Sequence, residues 1–176
     1  MLSIERTHAA VIACYASPPA LDSLPVALGT NQCRVAPDEL LLIAPPALLA
    51  GIERGATGHF AAVEPTALVL DQSDGWSAFT LRGDEADTVF AQLSTVPLPM
   101  GRPAFVQGAV AGGSAKILFL EGVIHVFVPS TLRHHLAARL HDVRQGRPVV
   151  PAAEIAFVND LATPPFQAGT ATPALR

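Results

Sequence analysis

Residues 67–95 limit the fold more than any other stretch, because they predict three elements in a row. An apolar run at 68–70 is followed by turn-forming Asp, Ser and Gly residues, and a second apolar run, 76–81, begins at hairpin distance. The next apolar residues fall at positions i, i+3, i+4 and i+7, which predicts one buried helix face. They are Ala86, Val89, Phe90 and Leu93. A hairpin followed by an amphipathic helix is typical of an α+β fold.

Apolar runs and turn residues continue this alternation along the chain. Further strands are predicted at residues 9–16, 34–44, 105–111, 116–120 and 123–128. A helix is expected to begin at Pro45 and to end at Gly55 and Gly58, and Asp84 is placed to cap the helix that follows it. The last helix is expected to pack through residues spaced at i, i+4, i+8 and i+11: Leu132, Leu136, Leu140 and Val143.

The composition changes after residue 146. Residues 1–146 are predicted to form a single α+β domain, because single domains most often run to about 100–200 residues. Residues 147–176 are rich in Pro and Ala, which excludes a long helix or a central strand. Apolar residues such as Phe157 and Phe166 are scattered through this tail. The tail is either extended on a partner chain, with these residues as anchors, or disordered.

Composition and charge limit the classes of molecule that are expected as partners of this chain. Half of the 176 residues are hydrophobic and 15% are charged, against about 25% charged in an ordinary soluble domain. This indicates either a large core or an apolar surface that partner chains cover. The Lys and Arg residues form no cluster and the net charge is −4, so nucleic acid is not an expected partner. The sequence predicts no membrane helix and no signal peptide, and we expect a cytoplasmic location.

The cysteines and the histidines of the last helix predict no metal site. Cys14 and Cys33 lack neighbouring His residues and are expected to be buried, reduced thiols. The last helix carries His134, His135 and His141. His134 and His141 are two turns apart, about 10 Å along the axis, so one metal ion cannot bridge them.

For the remaining polar residues that could form a site, a structural role explains the sequence at least as well as a catalytic or metal-binding role. His125 alternates with apolar residues on a strand, which favours a hydrogen-bonded core residue over a base. His59 is expected in a glycine-flanked loop without a partner. Asp71, Ser73 and Asp74 are typical of a turn, although a metal or general-base role is the alternative.

Motifs for nucleotide binding and hydrolysis are missing from the sequence. The segment 108–113, GAVAGG, precedes a predicted strand and does not follow the order GxGxxG, so it does not predict a dinucleotide loop. There is no GxSxG nucleophile elbow. We therefore predict no catalytic residue and no metal ligand. Trp76, the only tryptophan, is either an interface anchor or packs in the core beside the turn.

Three blocks of sequence resemble a known family. Residues 71–93, DQSDGWSAFTLRGDEADTVFAQL, resemble the small gamma subunit of heterotetrameric sarcosine oxidase and, more remotely, the N-terminal folate-binding domain of glycine-cleavage aminomethyltransferases. The matching positions in this block are Asp71, Ser73, Gly83, Asp84 and Ala86. A second block comprises Pro37, Asp38, Glu39 and Leu40, where the family usually has Trp at the last position. The third block is HVFVPSTLRHHLAARL, residues 125–140.

The resemblance implies two ferredoxin-like halves, as in the folate-binding domain, and a subunit of a complex that oxidatively demethylates sarcosine or a related N-methyl amine. It implies a non-catalytic role in assembly, with a larger alpha subunit as the main contact and beta and delta subunits completing the heterotetramer. FAD, FMN, NAD, tetrahydrofolate and zinc are expected in those partner subunits and none in this chain. The alternative is a stand-alone tetrahydrofolate-binding protein, in which Asp71 would hold the pterin.

Overall fold

The computed structural model describes residues 2–144, 155–156 and 167–168, and its chain divides into two compact units. Unit 1 comprises residues 1–8 and 74–156, and unit 2 comprises residues 9–73 and 157–176. The boundary predicted at residue 146 lies outside the described residues, as does most of the predicted tail.

Both units combine antiparallel strands with helices. The strands are β1 (Ser3–His8), β2 (Ala10–Tyr15), β3 (Asn31–Ala36), β4 (Glu39–Ala44), β5 (Leu68–Asp71), β6 (Trp76–Arg82), β7 (Ala104–Val110), β8 (Gly113–Leu120), β9 (Val123–Pro129), β10 (Ile155–Ala156) and β11 (Gln167–Ala168). The helices are α1 (Pro18–Asp22), α2 (Leu49–Val63), α3 (Ala86–Leu93) and α4 (Arg133–Arg144), with short 3-10 turns at Pro46–Leu48, Ser73–Gly75 and Ser130–Leu132. The described residues include no helix that is both long and apolar enough to cross a bilayer.

Unit 1 is built on a six-stranded sheet with the order β10-β1-β6-β9-β8-β7. Its neighbours are antiparallel except for β10, which pairs parallel to β1. The core lies where the apolar faces of α3 and α4 pack against strand residues, and there Phe90 of α3 meets Phe119 of β8 edge to face. The β7–β8 turn places Ala111 and Gly112 at φ 52° and 81°, as the tight turns of hairpins require.

Unit 2 is built on a five-stranded sheet with the order β11-β3-β4-β2-β5. Here too the C-terminal strand, β11, is the parallel one, and it pairs with β3. α1 and α2 contribute to a core that includes Leu21, Ile52 and Phe60 together with alternate residues of β2 and β4. Because β5 ends the sheet order, its outer edge is paired with no strand among the described residues.

The α+β fold predicted from the sequence is confirmed. The helix predicted after residue 85 is α3, and all four residues of its expected face are buried. Its cap differs from the prediction, since Glu85 occupies the N-cap position and no side chain caps the helix. Of the face predicted for the last helix, Leu136 and Leu140 are buried on α4, and Val143 packs partly buried against the same core, as does Leu132 in the 3-10 turn before α4.

Two strand predictions were wrong, and one strand was not predicted. The apolar runs of β5 and β6 do not form a hairpin, because β5 pairs with β2 whereas β6 pairs with β1 and β9 in the other sheet. Residues 34–44 are not one strand but parts of β3 and β4, joined at the turn of Pro37 and Asp38. The strand predicted at residues 9–16 is confirmed as β2, whereas the polar strand β1 that precedes it was not predicted.

Helix α2 also differs from the prediction. It continues to Val63, so Gly55 and Gly58 lie inside it. Each internal glycine costs about 1 kcal/mol relative to alanine. Ile52, Ala56 and Phe60 form a buried stripe on this helix, and burial of such a stripe offsets that cost.

Candidate functional site

The turn that contains Asp71 is held by its own hydrogen bonds. Asp71 Oδ1 accepts from the Ser73 N–H at 2.9 Å and from the Ser73 hydroxyl at 2.6 Å. Ser73 Oγ in turn accepts from the Val11 N–H at 3.0 Å, and the Gln72 N–H donates to Val11 O at 2.8 Å. The exposed carboxylate of Asp71 therefore fastens the end of β5 to β2, as the turn interpretation of this segment expects.

Trp76 begins β6 and is half-buried. The Nζ atom of Lys116, on β8, lies 5.3 Å from the centroid of the indole ring, which is within the range of a cation–π contact. Lys116 Nζ also donates to Gln107 Oε1 at 3.0 Å. The structure thus places the indole at the surface of unit 1, in contact with charge. Phe157 and Phe166, the other predicted interface residues, lie outside the described residues.

The histidines of α4 separate into two environments. His135 Nε2 donates to the carbonyl oxygen of Ala111 at 2.7 Å and so attaches α4 to the β7–β8 turn. His134 and His141 instead line an open groove of about 410 Å³ in unit 1. Within the described part of the chain, no three His, Cys, Asp or Glu side chains are grouped to hold a metal ion.

The groove of unit 1 has an apolar floor and a polar rim. Its floor includes Phe79 and Leu140, and Arg133 and His134 lie on its rim with 3.1 Å between Nη2 and Nε2. Glu5, also in the groove, accepts a hydrogen bond from the Ser3 hydroxyl at 2.5 Å. The residues that line this groove align no nucleophile with a base.

His125 is a buried member of a polar chain inside unit 1. The hydroxyls of Thr7 and Thr80 are 2.5 Å apart, and Thr80 Oγ1 lies 2.8 Å from His125 Nδ1. Burial, with a smaller contribution from the positive charge of Arg82, lowers the pKa of His125 from 6.5 to about 3. The imidazole is therefore neutral and hydrogen-bonded near pH 7, which confirms the interpretation as a core histidine.

The two thiols lie in unit 2. Cys14 and Cys33 are both buried thiols, as predicted. Burial raises the pKa of the Cys14 thiol from 9.0 to about 12. Because the thiolate is the reactive form of cysteine, Cys14 is unreactive in the folded protein near neutral pH.

His59 lies on α2, so its expected place in a loop was wrong. Its Nε2 atom is 2.9 Å from the hydroxyl oxygen of Ser23, and its ring meets Phe60 edge to face. The segment 108–113 lies in β7, the following turn and the start of β8. No helix N-terminus is available there for a phosphate, which agrees with the sequence analysis.

No protein-family model matches this chain, and no curated protein matches it significantly. Solved structures do match. A chain of the heterotetrameric sarcosine oxidase from Corynebacterium sp. U-96, determined in complex with pyrrole 2-carboxylate, aligns with a TM-score of 0.70 at 19% identity. The alignment covers 86% of this chain and 88% of that chain. The protein has the fold of a sarcosine oxidase chain.

The sarcosine oxidase fold extends, with lower similarity, to a second enzyme. Glycine cleavage system aminomethyltransferase T from Bartonella henselae aligns with a TM-score of 0.57 at 15% identity, covering 85% of this chain and 47% of that chain. This chain therefore spans about half the length of the aminomethyltransferase. The resemblance predicted from the three sequence blocks, with both its primary and its remoter member, is confirmed at the level of the fold.

Proposed function

We propose that this protein is a small, non-catalytic, gamma-like subunit of a sarcosine oxidase-type flavoenzyme complex. The complex oxidatively demethylates sarcosine or a related N-methyl amine, and this chain assembles and stabilises it. The observation that carries the proposal is coverage: the alignment with the sarcosine oxidase chain includes nearly all of both chains. The two chains therefore have about the same length, whereas only half of the aminomethyltransferase is matched.

An exposed apolar edge in unit 2 supports the role in assembly. On β5, Leu68 and Leu70 are 56% and 45% exposed, and Val63, at the end of α2, is 50% exposed. The same strand forms the end of its sheet among the described residues. An exposed edge with apolar side chains is a site where another chain can add a strand or pack. We infer that a larger subunit, expected to be the alpha chain, covers this edge.

Trp76 is the proposed anchor in unit 1. Tryptophan is enriched among the few residues that dominate binding energy at interfaces. We expect Trp76→Ala to weaken association with the larger subunit by at least tenfold while the chain stays folded. Phe105→Ala is the matched control, because Phe105 is a half-buried aromatic residue on another strand of the same sheet. Unfolding of the Trp76→Ala chain would instead place the indole in the core.

In this proposal, the other subunits bind the cofactors and carry out catalysis. We expect FAD, FMN and NAD on the larger alpha and beta chains, tetrahydrofolate on the alpha chain and zinc on the small delta chain, in a cytoplasmic heterotetramer. Such a distribution leaves this chain without a cofactor of its own. The proposed division of labour is consistent with the hydrogen bonds that engage Asp71 in a turn and His125 in the core.

The test is co-production of the tagged chain with the candidate larger subunits. We expect it to recover material that shows flavin absorbance and produces hydrogen peroxide when sarcosine is added. Two results would contradict the proposal. One is a monomeric chain that oxidises a substrate by itself. The other is a monomeric chain that binds tetrahydrofolate saturably by calorimetry, which would favour the folate-binding alternative.

A further inference from the structure

A loop of unit 1 carries the most exposed of the large apolar side chains that the structure describes. The loop lies between α3 and β7, and Met100 in it has a relative exposure of 108%. A Cβ atom added to the neighbouring Gly101 would meet no atom within 4 Å, so the space around this part of the loop is open. A small solute in the surrounding water can therefore reach the thioether sulfur of Met100.

Hydrogen bonds attach this loop to the rest of unit 1 near its two ends. At its start, Ser94 Oγ donates to Ala109 O at 2.6 Å and accepts from the Val96 N–H at 3.1 Å. At its end, Arg102 Nη1 donates to Leu120 O at 3.2 Å. A chemical change in the middle of the loop leaves these contacts in place.

The Met100 side chain lies outside the hydrophobic core of unit 1, whereas Val96, in the same loop, packs against that core. Oxidation converts a methionine from a flexible apolar side chain into a polar sulfoxide, which disrupts a core when the residue is buried. At an exposed position the sulfoxide remains hydrated. We therefore expect oxidation of Met100 to cost the fold little.

The two thiols of unit 2 are placed to compete poorly for an oxidant. Cys14 and Cys33 are both 0% exposed, and burial raises the pKa of the Cys14 thiol to about 12. Cysteine is oxidised through its thiolate, and the reaction needs access to the sulfur. A thioether has no proton to lose, so near neutral pH its reactivity follows its exposure. These conditions favour oxidation of the thioether over the thiols.

We propose that hydrogen peroxide oxidises the folded chain at Met100 before it oxidises either thiol, and that the fold tolerates this modification. The sulfur lone pair attacks one peroxide oxygen, so that an S–O bond forms while the O–O bond breaks. A proton moves from the attacked oxygen to the departing one, which leaves as water. The sulfur gives two electrons to the peroxide and becomes a sulfoxide. This inference concerns the chain by itself and does not depend on the proposed subunit function.

The test treats the full chain with hydrogen peroxide near pH 7 and follows each sulfur by tandem mass spectrometry, which separates Met100 from Met1. We expect Met100 to gain one oxygen at a rate within about fivefold of that of N-acetylmethionine amide, while both thiols stay unmodified. The midpoint of thermal unfolding should change by less than about 2 °C. In the Met100→Leu chain the thiols should also stay unmodified, because burial rather than competition protects them.

A second variant tests whether exposure decides the reaction. Leu136 is 1% exposed in the core of unit 1, and Leu136→Met nearly conserves its volume. Combined with Met100→Leu, it should give a buried thioether that reacts at least about tenfold more slowly than Met100. Four results would overturn the proposal: a thiol oxidised before Met100, a slower rate at Met100 than the stated range, a larger fall in the unfolding midpoint, or equal rates at positions 100 and 136.

Discussion

Units 1 and 2 have similar architectures but differ in the polar groups that they bury. Among the described residues, unit 1 buries an imidazole, that of His125, in a chain of hydrogen bonds. Unit 2 buries the uncharged Thr30, Asn31 and Gln32 together with two thiols. This difference shows that an α+β unit can be stabilised with or without a buried group that titrates in the mildly acidic range. We therefore expect acid sensitivity to originate in unit 1.

The largest expected effects come from the aromatic centres of the two cores. Phe90 is fully buried in unit 1 and meets Phe119 edge to face, with 5.2 Å between ring centroids. Phe90→Ala should lower the free energy of unfolding by about 3–5 kcal/mol. Phe60→Ala in unit 2 should cost somewhat less within that range, because Phe60 pairs with the half-buried His59 rather than with a second buried phenylalanine. Urea denaturation measures both values, and a loss below about 1 kcal/mol for either variant would place that ring outside a core.

The next effect tests the acid sensitivity of unit 1. The folded-state pKa of His125 is about 3 and the unfolded value is about 6.5. Between these values the unfolded chain binds a proton that the folded chain excludes, so His125 lowers stability as the pH falls from 6.5 towards 3. The contribution approaches about 1.4 kcal/mol per pH unit within this window and is absent above it.

His125→Gln removes this titration while keeping a hydrogen-bonding side chain beside Thr80. Urea denaturation at several pH values should show that the unaltered protein loses more stability than the variant between pH 6.5 and 3. The stability difference between the two proteins at pH 7.5 serves as the internal reference. Parallel pH dependences would show that His125 is protonated in the folded protein as readily as in the unfolded chain.

The smallest effects compare one glycine from each unit. Gly58 lies within α2 with free space around it, so Gly58→Ala should raise the free energy of unfolding by about 0.5–1 kcal/mol. Gly112 in the β7–β8 turn has a φ of 81°, so Gly112→Ala should lower it by about 1 kcal/mol. Thermal unfolding distinguishes the two signs. If both variants changed the free energy of unfolding in the same direction, either the helical position of Gly58 or the turn conformation of Gly112 would be contradicted.

The sequence predicted local structure better than it predicted strand partners. The spacing of Val89 and Phe90 marks the buried face of α3 because helix periodicity is a local property. The partners of β5 and β6 were wrong, since two adjacent apolar strands carry no local sign that they belong to different sheets. β1 was missed because charged residues such as Glu5 and Arg6 occupy it.

For the site residues too, the sequence predicted local properties better than properties that depend on distant parts of the chain. The structure confirms His125 as a buried, hydrogen-bonded residue, which its alternation with apolar neighbours predicted. No pattern in the sequence indicated that Thr30 would be buried with no hydrogen-bond partner among the described residues, because that state depends on residues far away in the chain. Gly55 and Gly58 were predicted to end a helix, because glycines commonly do so, whereas both lie inside α2. Only the buried stripe of α2 separates these alternatives.

The measurement that tests the central claim most directly is the native mass of the proposed amine-oxidising complex, made with and without this chain. We predict that the complete complex contains this chain. Omitting the chain should leave smaller assemblies, which should have reduced thermal stability and form less peroxide when sarcosine is added. A complex that keeps its mass, stability and activity, apart from the mass of the missing chain itself, would contradict a role in assembly.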